Sequence, residues 1–292
     1  MSSHTPGPRS APLLLLAGLV AGHAAGVALL LGEPRALTLM HECAYWAASL
    51  LGIWGTVCAA RAFVPGDHLR RVWSLLAVGA GLLFVGTAMR TYWFAVGGGA
   101  PFASSSLLPY RMVVVVLANV VSTYALVLLA FTYQRAGLSP SLSWRSVLAW
   151  CAGLAAALLV AVPQLRLDLA QLPLGAAQAL SATTSIVSTL GDTLTILLIV
   201  PLLRVAYLMR GGRLARVWWV MGLSGAAWLL YDARAWLALL VPGQEVAALE
   251  LLRVTRTLGL AGVGVAGWLQ HDVLTAATTV PPQPAAPVLP GA

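Results

Sequence analysis

The chain has 292 residues, of which 60% are hydrophobic and only 9% are charged. A soluble domain carries roughly 25% charged residues, so this chain has too little polar surface to cover a folded globule in water. The composition excludes a disordered chain, a coiled coil and an ordinary water-soluble enzyme. It predicts an all-α fold, a polytopic helical membrane protein whose solvent is lipid.

The net charge of +8 comes from 17 arginines and no lysine. In a chain this apolar, basic residues orient the spans in the membrane, and we therefore expect no nucleic-acid partner. The absence of lysine excludes a retinal Schiff base on a lysine side chain. The cysteines lack CxxC spacing, and we interpret them as buried small hydrophobic residues rather than a disulfide or metal framework. They are Cys43, Cys58 and Cys151.

Apolar runs long enough to cross a bilayer recur along the chain. They predict one transmembrane domain over residues 11–272, between a cytoplasmic tail at 1–10 and a Pro-rich, disordered cytoplasmic tail at 273–292. Seven spans are the alternative to eight, because Arg253 and Arg256 lie in the first turns of the last one. The eight predicted spans are 11–32, 40–62, 72–96, 112–133, 146–165, 183–209, 217–241 and 251–270.

With eight spans, the arginines of the loops and termini are divided unequally between the two sides of the membrane. Nine arginines lie on the side that both termini share, and five lie on the opposite side. Because cytoplasmic loops carry the excess of basic residues, we predict that both termini are cytoplasmic. The predicted location is the bacterial inner membrane.

Two segments that lie 145 residues apart have similar sequences. Gly66–Trp73 and Gly211–Trp218 share five residues, and Arg111 matches Arg256 at the same offset. This similarity predicts two parallel repeats, residues 11–135 and 146–272. The alternative is that Arg-Val-Trp is a common pattern at the cytoplasmic end of a span, where arginine meets phosphate and tryptophan lies in the interface.

Ionisable residues inside a span are costly unless they are paired or hydrated, so they mark candidate sites. At 1.5 Å of rise per residue, most of them fall in the outer half of the predicted membrane region. We predict that five of these residues line a pocket near the periplasmic face. We also predict that at least one of the two aspartates forms an ion pair with one of the three arginines. The five are Arg90, Asp192, Asp232, Arg253 and Arg256.

The sixth span carries a polar stripe. Five residues with polar side chains are spaced four, three, four and three positions apart, which places them on one face of a helix. Such a stripe either hydrogen-bonds to a neighbouring helix or lines a water-filled cavity, and the sequence leaves both alternatives open. The five are Ser181, Ser185, Ser188, Asp192 and Thr195.

No combination of residues indicates a catalytic residue, a metal ion or another cofactor. His23 lies in the middle of the first span without a matching histidine at its depth, so we expect a hydrogen-bonded packing residue rather than a haem ligand. Residues 41–43 read His-Glu-Cys, but consecutive helical residues diverge by about 100° and cannot converge on one ion. Residues 222–225 match the GxSG motif of rhomboid proteases. The last span lacks the histidine base that this chemistry needs, so small residues there more simply permit close helix contact.

Residues 181–270 resemble the multi-span sensory module that precedes bacterial diguanylate cyclase and histidine kinase domains. The resemblance implies a sensing role. The arginine excess of the predicted pocket, independently of the resemblance, favours an anionic ligand or lipid head group. A Pro-rich tail follows here instead of an output domain, so we expect a cytoplasmic or membrane signalling partner. The alternative is a small-solute transporter that is proton-coupled through a buried aspartate, although the inner half of the predicted spans has few polar residues to line a path. The matching features are Gly191-Asp192, the arginine-rich turn 210–216, Trp219, Asp232 and the final span from Glu250 to Trp268.

Overall fold

The computed structural model describes residues 10–97, 100, 102–135, 144–208 and 212–278. Regular secondary structure within these residues is helical, with no strand. Most of the predicted N-terminal tail and residues 279–292 of the predicted C-terminal tail lie outside the described part. Residues 273–278, which we had assigned to that tail, continue the last helix.

The described residues form ten α-helices and two short 3-10 helices, Phe102–Ser104 and Leu172–Leu174. Eight of the α-helices are long, and they correspond in order to the eight apolar runs. The α-helices are α1 (Ala11–Leu30), α2 (Pro34–Ala62), α3 (His68–Val96), α4 (Leu108–Arg135), α5 (Trp144–Gln171), α6 (Ala176–Leu208), α7 (Arg213–Asp232), α8 (Arg234–Ala238), α9 (Glu245–Leu252) and α10 (Val254–Thr278).

The seventh predicted span is shorter than expected, because α7 ends at Asp232 rather than continuing to 241. Arg234 donates a hydrogen bond to the carbonyl of Tyr231 at 2.9 Å, which satisfies one of the last carbonyls of α7. Trp236 donates to the Val160 carbonyl of α5 at 2.8 Å. These two side chains tie the segment that follows α7 to α7 itself and to α5.

Six helices are long and apolar enough to cross a membrane within the described residues: α1, α2, α3, α4, α5 and α6. Large apolar side chains face outward, such as Leu29 with 83% exposure and Leu159 with 72%. Charged side chains lie inside, such as Glu42 with 3% exposure and Arg256 with 4%. This apolar exterior with a polar interior is the arrangement expected of a helical protein that is integrated in a membrane.

Six helices form a closed ring in the order α2, α3, α4, α6, α7 and α10, with α10 packing back against α2. Helix α1 lies outside against α2 and α10, and α5 lies outside against α6 and α7. The α2–α10 and α4–α6 contacts correspond under exchange of the predicted repeats, and Trp73 and Trp218 are both buried. The two outer helices break this correspondence, because α1 contacts α10 whereas α5 contacts α7. The repeat therefore stays a prediction.

Helices α2 and α10 touch backbone to backbone. A Cβ atom on Gly55 would overlap the carbonyl of Gly264, and a Cβ atom on Gly264 would overlap the carbonyl of Leu51. Only glycine permits this approach, which is the close contact expected from the small residues of the last span. The contact fixes the two helices that carry Glu42 and Arg256.

Two of the three cysteines are not buried as we expected. Cys43 and Cys151 are exposed on the outer surface of the bundle, and Cys58 is half-buried. All three are free thiols. Their positions on α2 and α5 turn them toward the apolar exterior, where a small, weakly polar side chain is tolerated.

We expect Gly264→Ala to lower the melting temperature of the purified protein in detergent, because overpacking this contact costs roughly 1–3 kcal/mol. Gly81→Ala is the matched control, since its Cβ would meet no atom within 4 Å. The control should leave the melting temperature unchanged or raise it slightly, because alanine favours a helix over glycine by up to about 1 kcal/mol. Equal melting temperatures for the two variants would contradict the described packing.

Candidate functional site

A chain of hydrogen bonds fixes the outer helix α1 to the ring. His23 Nδ1 lies 2.7 Å from the Thr257 hydroxyl, and His23 Nε2 lies 2.8 Å from His41 Nδ1. His41 Nε2 lies 2.7 Å from Glu250, which also pairs with Arg253 at 3.2 Å. Both imidazoles are about 1% exposed. Because α1 buries few side chains, these five residues, here called the histidine chain, are its main polar attachment.

Glu250 anchors the histidine chain from α9, outside the six apolar helices. Burial by itself would raise the pKa of the Glu250 carboxyl, but the hydrogen bond with His41 and the charge of Arg253 outweigh burial and lower that pKa. Glu250 is therefore ionised at neutral pH and accepts hydrogen bonds from both partners.

A second polar group links α2 to α3. Glu42 of α2 forms an ion pair with Arg90 of α3 and accepts a hydrogen bond from the Thr91 hydroxyl at 2.7 Å. Trp46 donates to the same hydroxyl at 2.9 Å. Glu42 is almost fully buried, so its charge depends on these partners.

Tyr45 separates two buried arginines. Its ring centroid lies 4.4 Å from the guanidinium carbon of Arg256 and 5.0 Å from that of Arg90. Arg256 also donates to the Thr87 hydroxyl at 2.9 Å. Arg256 belongs to none of the ion pairs found among the described residues, and its Nε has no hydrogen-bond partner there. Tyr231 adds a second ring, 5.7 Å from the guanidinium carbon, and a side-chain hydrogen bond. The charge of Arg256 is thus stabilised by tyrosine side chains and a threonine hydroxyl rather than by a carboxylate.

Arg256 lines a cavity of about 160 Å³, here called the arginine cavity. One water molecule needs about 10–15 Å³ on this scale, so the cavity can hold a small hydrated solute. Arg111, on α4, is the second arginine in its wall, and Asp232 contributes a carboxyl group. The other polar residues of the wall are Asn119, Ser181, Thr184, Ser185, Ser188, Tyr231 and Arg234.

A second cavity, of about 80 Å³, lies next to the first and is here called the core cavity. Leu83, Asn119 and Trp228 line both cavities, so the two cavities are neighbours inside the ring. Asp192 is the acidic residue in the wall of the core cavity, and apolar residues such as Leu126 supply much of the rest.

Asp192 and Asp232 interact through their side chains, and we call them the carboxyl pair. Asp192 lines the core cavity and Asp232 lines the arginine cavity. Each is about 9% exposed, and each keeps one carboxyl oxygen without a hydrogen-bond partner among the described residues. Ser188 hydrogen-bonds to Asp232.

The five residues that we predicted as a pocket do not line one cavity. Asp232 and Arg256 line the arginine cavity, Asp192 lines the core cavity, and Arg90 and Arg253 line neither. All five nevertheless come from helix segments that the depth estimate places at a similar level.

The predicted aspartate–arginine ion pair is wrong among the described residues. Arg90 pairs with Glu42, and Arg253 pairs with Glu250. These glutamates lie on α2 and α9, next to the arginines in space, while the two aspartates interact with each other. Sequence depth alone could not distinguish these partners, because all the acidic groups fall at similar levels.

The predicted stripe on α6 faces the cavities along its whole length. Its three serines line the arginine cavity, and Asp192 and Thr195 line the core cavity. Ser185 also donates to Asp168 of α5 at 2.7 Å. Both alternatives that the sequence left open therefore apply. All five residues line a cavity, and Ser185 also forms a hydrogen bond between helices.

Sequence reasoning missed four residues of this region. Glu42 and Tyr45 lie in the first turns of α2 close to His41, but nothing in the sequence indicated their partners. Arg111 could have been found, because the offset of 145 residues relates it to Arg256. His23 is hydrogen-bonded in the core as expected, yet its partner is His41, which we had placed at a different depth.

The described residues contain no group of three or more metal-ligating side chains that could hold an ion. Ser224, in the GxSG-like segment, donates to the Gly259 carbonyl of α10 at 2.7 Å. The hydroxyl therefore supports the α7–α10 contact, in line with a packing role for the small residues.

Comparison with protein-family models, curated proteins and solved structures found no match. The resemblance of residues 181–270 to bacterial sensory modules stays a prediction. Inference about function therefore depends on the two cavities and the charges that line them.

We expect Glu42→Gln to lower the melting temperature in detergent, because it leaves the Arg90 charge buried without its carboxylate, at a cost of about 3 kcal/mol. The double variant Glu42→Gln with Arg90→Gln should recover part of this loss. Glu33→Gln is the control, since Glu33 is exposed. Additive losses in the double variant would contradict a functional ion pair between Glu42 and Arg90.

Proposed function

We propose that this protein is an integral membrane receptor, a sensor or accessory protein, that binds a small anion in the arginine cavity. The ligand chemistry is a phosphate, sulfate or carboxylate group, carried either by a soluble molecule or by a lipid head group. Guanidinium groups bind such oxyanions with charge-assisted hydrogen bonds, and hydroxyl groups supply further donors.

The unpaired charge of Arg256 is the observation that carries this proposal. A guanidinium that is 4% exposed requires compensation, and no described carboxylate pairs with it. Arg111 and Arg234 lie in the same wall, so the cavity carries three arginine charges. Asp232 is the one carboxylate among its described wall residues. An anion beside Arg256 would supply the missing charge.

A proton-coupled transporter of small anions is the second candidate. The two neighbouring cavities, one lined by Asp192 and the other by Asp232, favour it. The receptor is preferred because apolar side chains, including Trp73 and Trp218, fill the opposite end of the ring. A transporter requires a polar path through both halves of the membrane.

For the membrane arrangement, we propose eight spans in a bacterial inner membrane with both termini cytoplasmic. The six long apolar helices support six of these spans, and α7 and α10, which complete the ring, are the remaining two. The cavities then open toward the periplasm. A periplasmic ligand and a cytoplasmic or membrane signalling partner suit the resemblance to sensory modules.

We expect sulfate and phosphate to raise the melting temperature of the purified protein, because a ligand stabilises the folded state by about 2.7 kcal/mol at 100 times its Kd. Arg256→Gln and Arg111→Gln should each abolish this increase, since each removes one of the guanidinium groups that would hold the anion. Thermal unfolding in detergent measures it. The same measurement in nanodiscs with and without phosphatidylglycerol distinguishes the two carriers of the anionic group, a lipid head group and a soluble anion.

Arg35→Gln is the control for this experiment, because Arg35 is exposed. It should keep the full increase. An increase that is the same in all three variants and in the wild type would show that the anions act outside the cavity.

Reporter fusions test the orientation. Reporters fused at residues 100 and 172 should be periplasmic, and a reporter fused at residue 292 should be cytoplasmic. The reason is that nine arginines lie on the side of the termini and five on the opposite side. Alkaline phosphatase and green fluorescent protein activities report the two sides. A periplasmic reading at residue 292 would show that the number of spans is odd.

A further inference from the structure

We propose that the ligand of the arginine cavity is a small organic anion that carries a hydroxyl group about one helical turn from its acid group, rather than an inorganic oxyanion. This ligand class rests on the proposed function, because it requires the anion site, and it adds a second point of recognition. It follows from the order of charged, apolar and uncharged polar side chains along the cavity wall.

Two arginines of the wall are held at one level of α3. Arg111 Nε donates to the Gly86 carbonyl at 3.2 Å, and Arg256 Nη2 donates to the Thr87 hydroxyl at 2.9 Å. Gly86 and Thr87 are consecutive residues, so the guanidinium groups from α4 and α10 meet at the same height. Arg234, the third arginine of the wall, donates to a backbone carbonyl at the end of α7. The acid group of a ligand therefore belongs beside Arg111 and Arg256.

An amide lies further along the same wall. Arg111, Val115 and Asn119 all line the arginine cavity, and their spacing of four residues places them on one face of α4 at intervals of about one turn. A Cβ atom on Gly191 would lie 4.0 Å from the Asn119 Cβ, which places the amide beside α6. The wall thus changes from charged to apolar to uncharged polar over about 12 Å of helix.

The carboxyl group of Asp232 belongs to the same part of the wall. A Cβ atom on Gly225 of α7 would meet Thr195 of α6 at 3.1 Å, and the two helices run antiparallel. Seven residues further along α7, this register brings Asp232 to the level of Ser188, which also lines the cavity. Ser188 lies about one turn from Gly191, so the amide and the carboxyl group are close enough to share one small group of a ligand.

Two polar atoms in this part of the wall are buried without a hydrogen-bond partner among the described residues. They are Asn119 Nδ2 and Asp232 Oδ2. A hydroxyl group can accept a hydrogen bond from the amide and donate one to a carboxylate oxygen. It serves a protonated Asp232 equally well, because it can then accept instead. Sulfate has acceptor oxygens only, so it cannot donate to a carboxylate.

The wall between these polar groups is apolar, and a carbon chain fits it better than a hydrated ion. Leu83, Met112, Val115 and Trp228 contribute this surface. Contact with a short carbon chain removes apolar surface from water on both partners. The volume of about 160 Å³ also exceeds what an oxyanion of five atoms fills, since one water molecule needs about 10–15 Å³.

4-Hydroxybutyrate and pentanoate test this proposal, because they share charge, length and shape and differ in a hydroxyl against a methyl group. In the extended hydroxy acid, the hydroxyl oxygen lies roughly 5 Å from the carboxyl carbon, about one helical turn. Titration calorimetry on the purified full chain measures both Kd values. We expect 4-hydroxybutyrate to bind at least about tenfold more tightly, because pentanoate leaves the buried amide and carboxyl oxygen unsatisfied.

Asn119→Leu and Asp232→Leu each remove one hydrogen-bonding group and keep a side chain of similar size. Each should lose most of the preference for the hydroxy acid and still bind pentanoate, whereas Arg256→Gln should bind neither acid. Thr132→Val is the matched control on α4, since Thr132 lines neither described cavity and donates to the Leu128 carbonyl of its own helix. It should keep the full preference.

A second pair of probes distinguishes a lipid from a soluble ligand. Phosphatidylglycerol carries both an anionic phosphate and hydroxyl groups, and phosphatidylethanol has the same phosphodiester without the hydroxyls. Melting temperatures are compared in nanodiscs that contain one lipid or the other. A higher melting temperature with phosphatidylglycerol that is lost in Asn119→Leu identifies a lipid as the source. A hydroxyl preference confined to the soluble acids identifies a soluble anion.

The outcomes separate the ligand class from the anion site. Equal Kd values for the two acids, together with equal stability in the two lipids, would overturn the ligand class, and sulfate binding that depends on Arg256 would leave the anion site standing. A preference that persists in both leucine variants would place the hydroxyl elsewhere and overturn the ligand class as well. No binding of any anion would overturn the proposed function, and the ligand class with it. Should one leucine variant fail to fold, the other variant and the wild-type comparison decide.

Discussion

A charge buried among lipid-facing helices must be stabilised from inside the protein, and Arg256 is where this requirement is least satisfied. Glu42 neutralises Arg90, and Glu250 neutralises Arg253. Arg256 is more deeply buried than either of these arginines, yet among the described residues it is held only by tyrosine side chains and a threonine hydroxyl. Isolated charges inside a membrane domain are costly, so a residue of this kind indicates a site that is completed by something else.

The ring supplies the geometry in which this arginine can remain charged. The glycine contact between Gly55 and Gly264 brings α2 and α10 together, which places Tyr45 against Arg256. The histidine chain attaches α1 over the same two helices through His23. The neighbouring helices α4, α6 and α7 then enclose the two cavities on the other side of Arg256.

Much of the helical architecture could be predicted from the sequence, because a span is a local property of about 20 apolar residues. The stripe on α6 was also predictable, since its period of 3.6 residues fixes one face. The partners of Arg90 and Arg253 were not, because they depend on which helices are neighbours in the ring. The approximate level of a residue follows from its position in a span, but its neighbours follow from packing between distant segments.

The break after α7 has a similar cause. Residues 217–241 are apolar enough to read as one span, and the turn at Asp232 depends on Arg234 and Trp236 bonding to backbone carbonyls. One of these carbonyls belongs to Val160 of α5, which is distant in sequence. Hydropathy contains no information about such a bond.

The most direct test of the central claim is to locate an anion beside Arg256. Crystals of the protein soaked in selenate, a sulfate analogue with a strong anomalous signal, would show where the anion binds. The account predicts an anomalous peak in the arginine cavity, within hydrogen-bonding distance of Arg111 and Arg256. A cavity without a peak, with the Arg256 guanidinium paired to the Asp232 carboxylate, would contradict it.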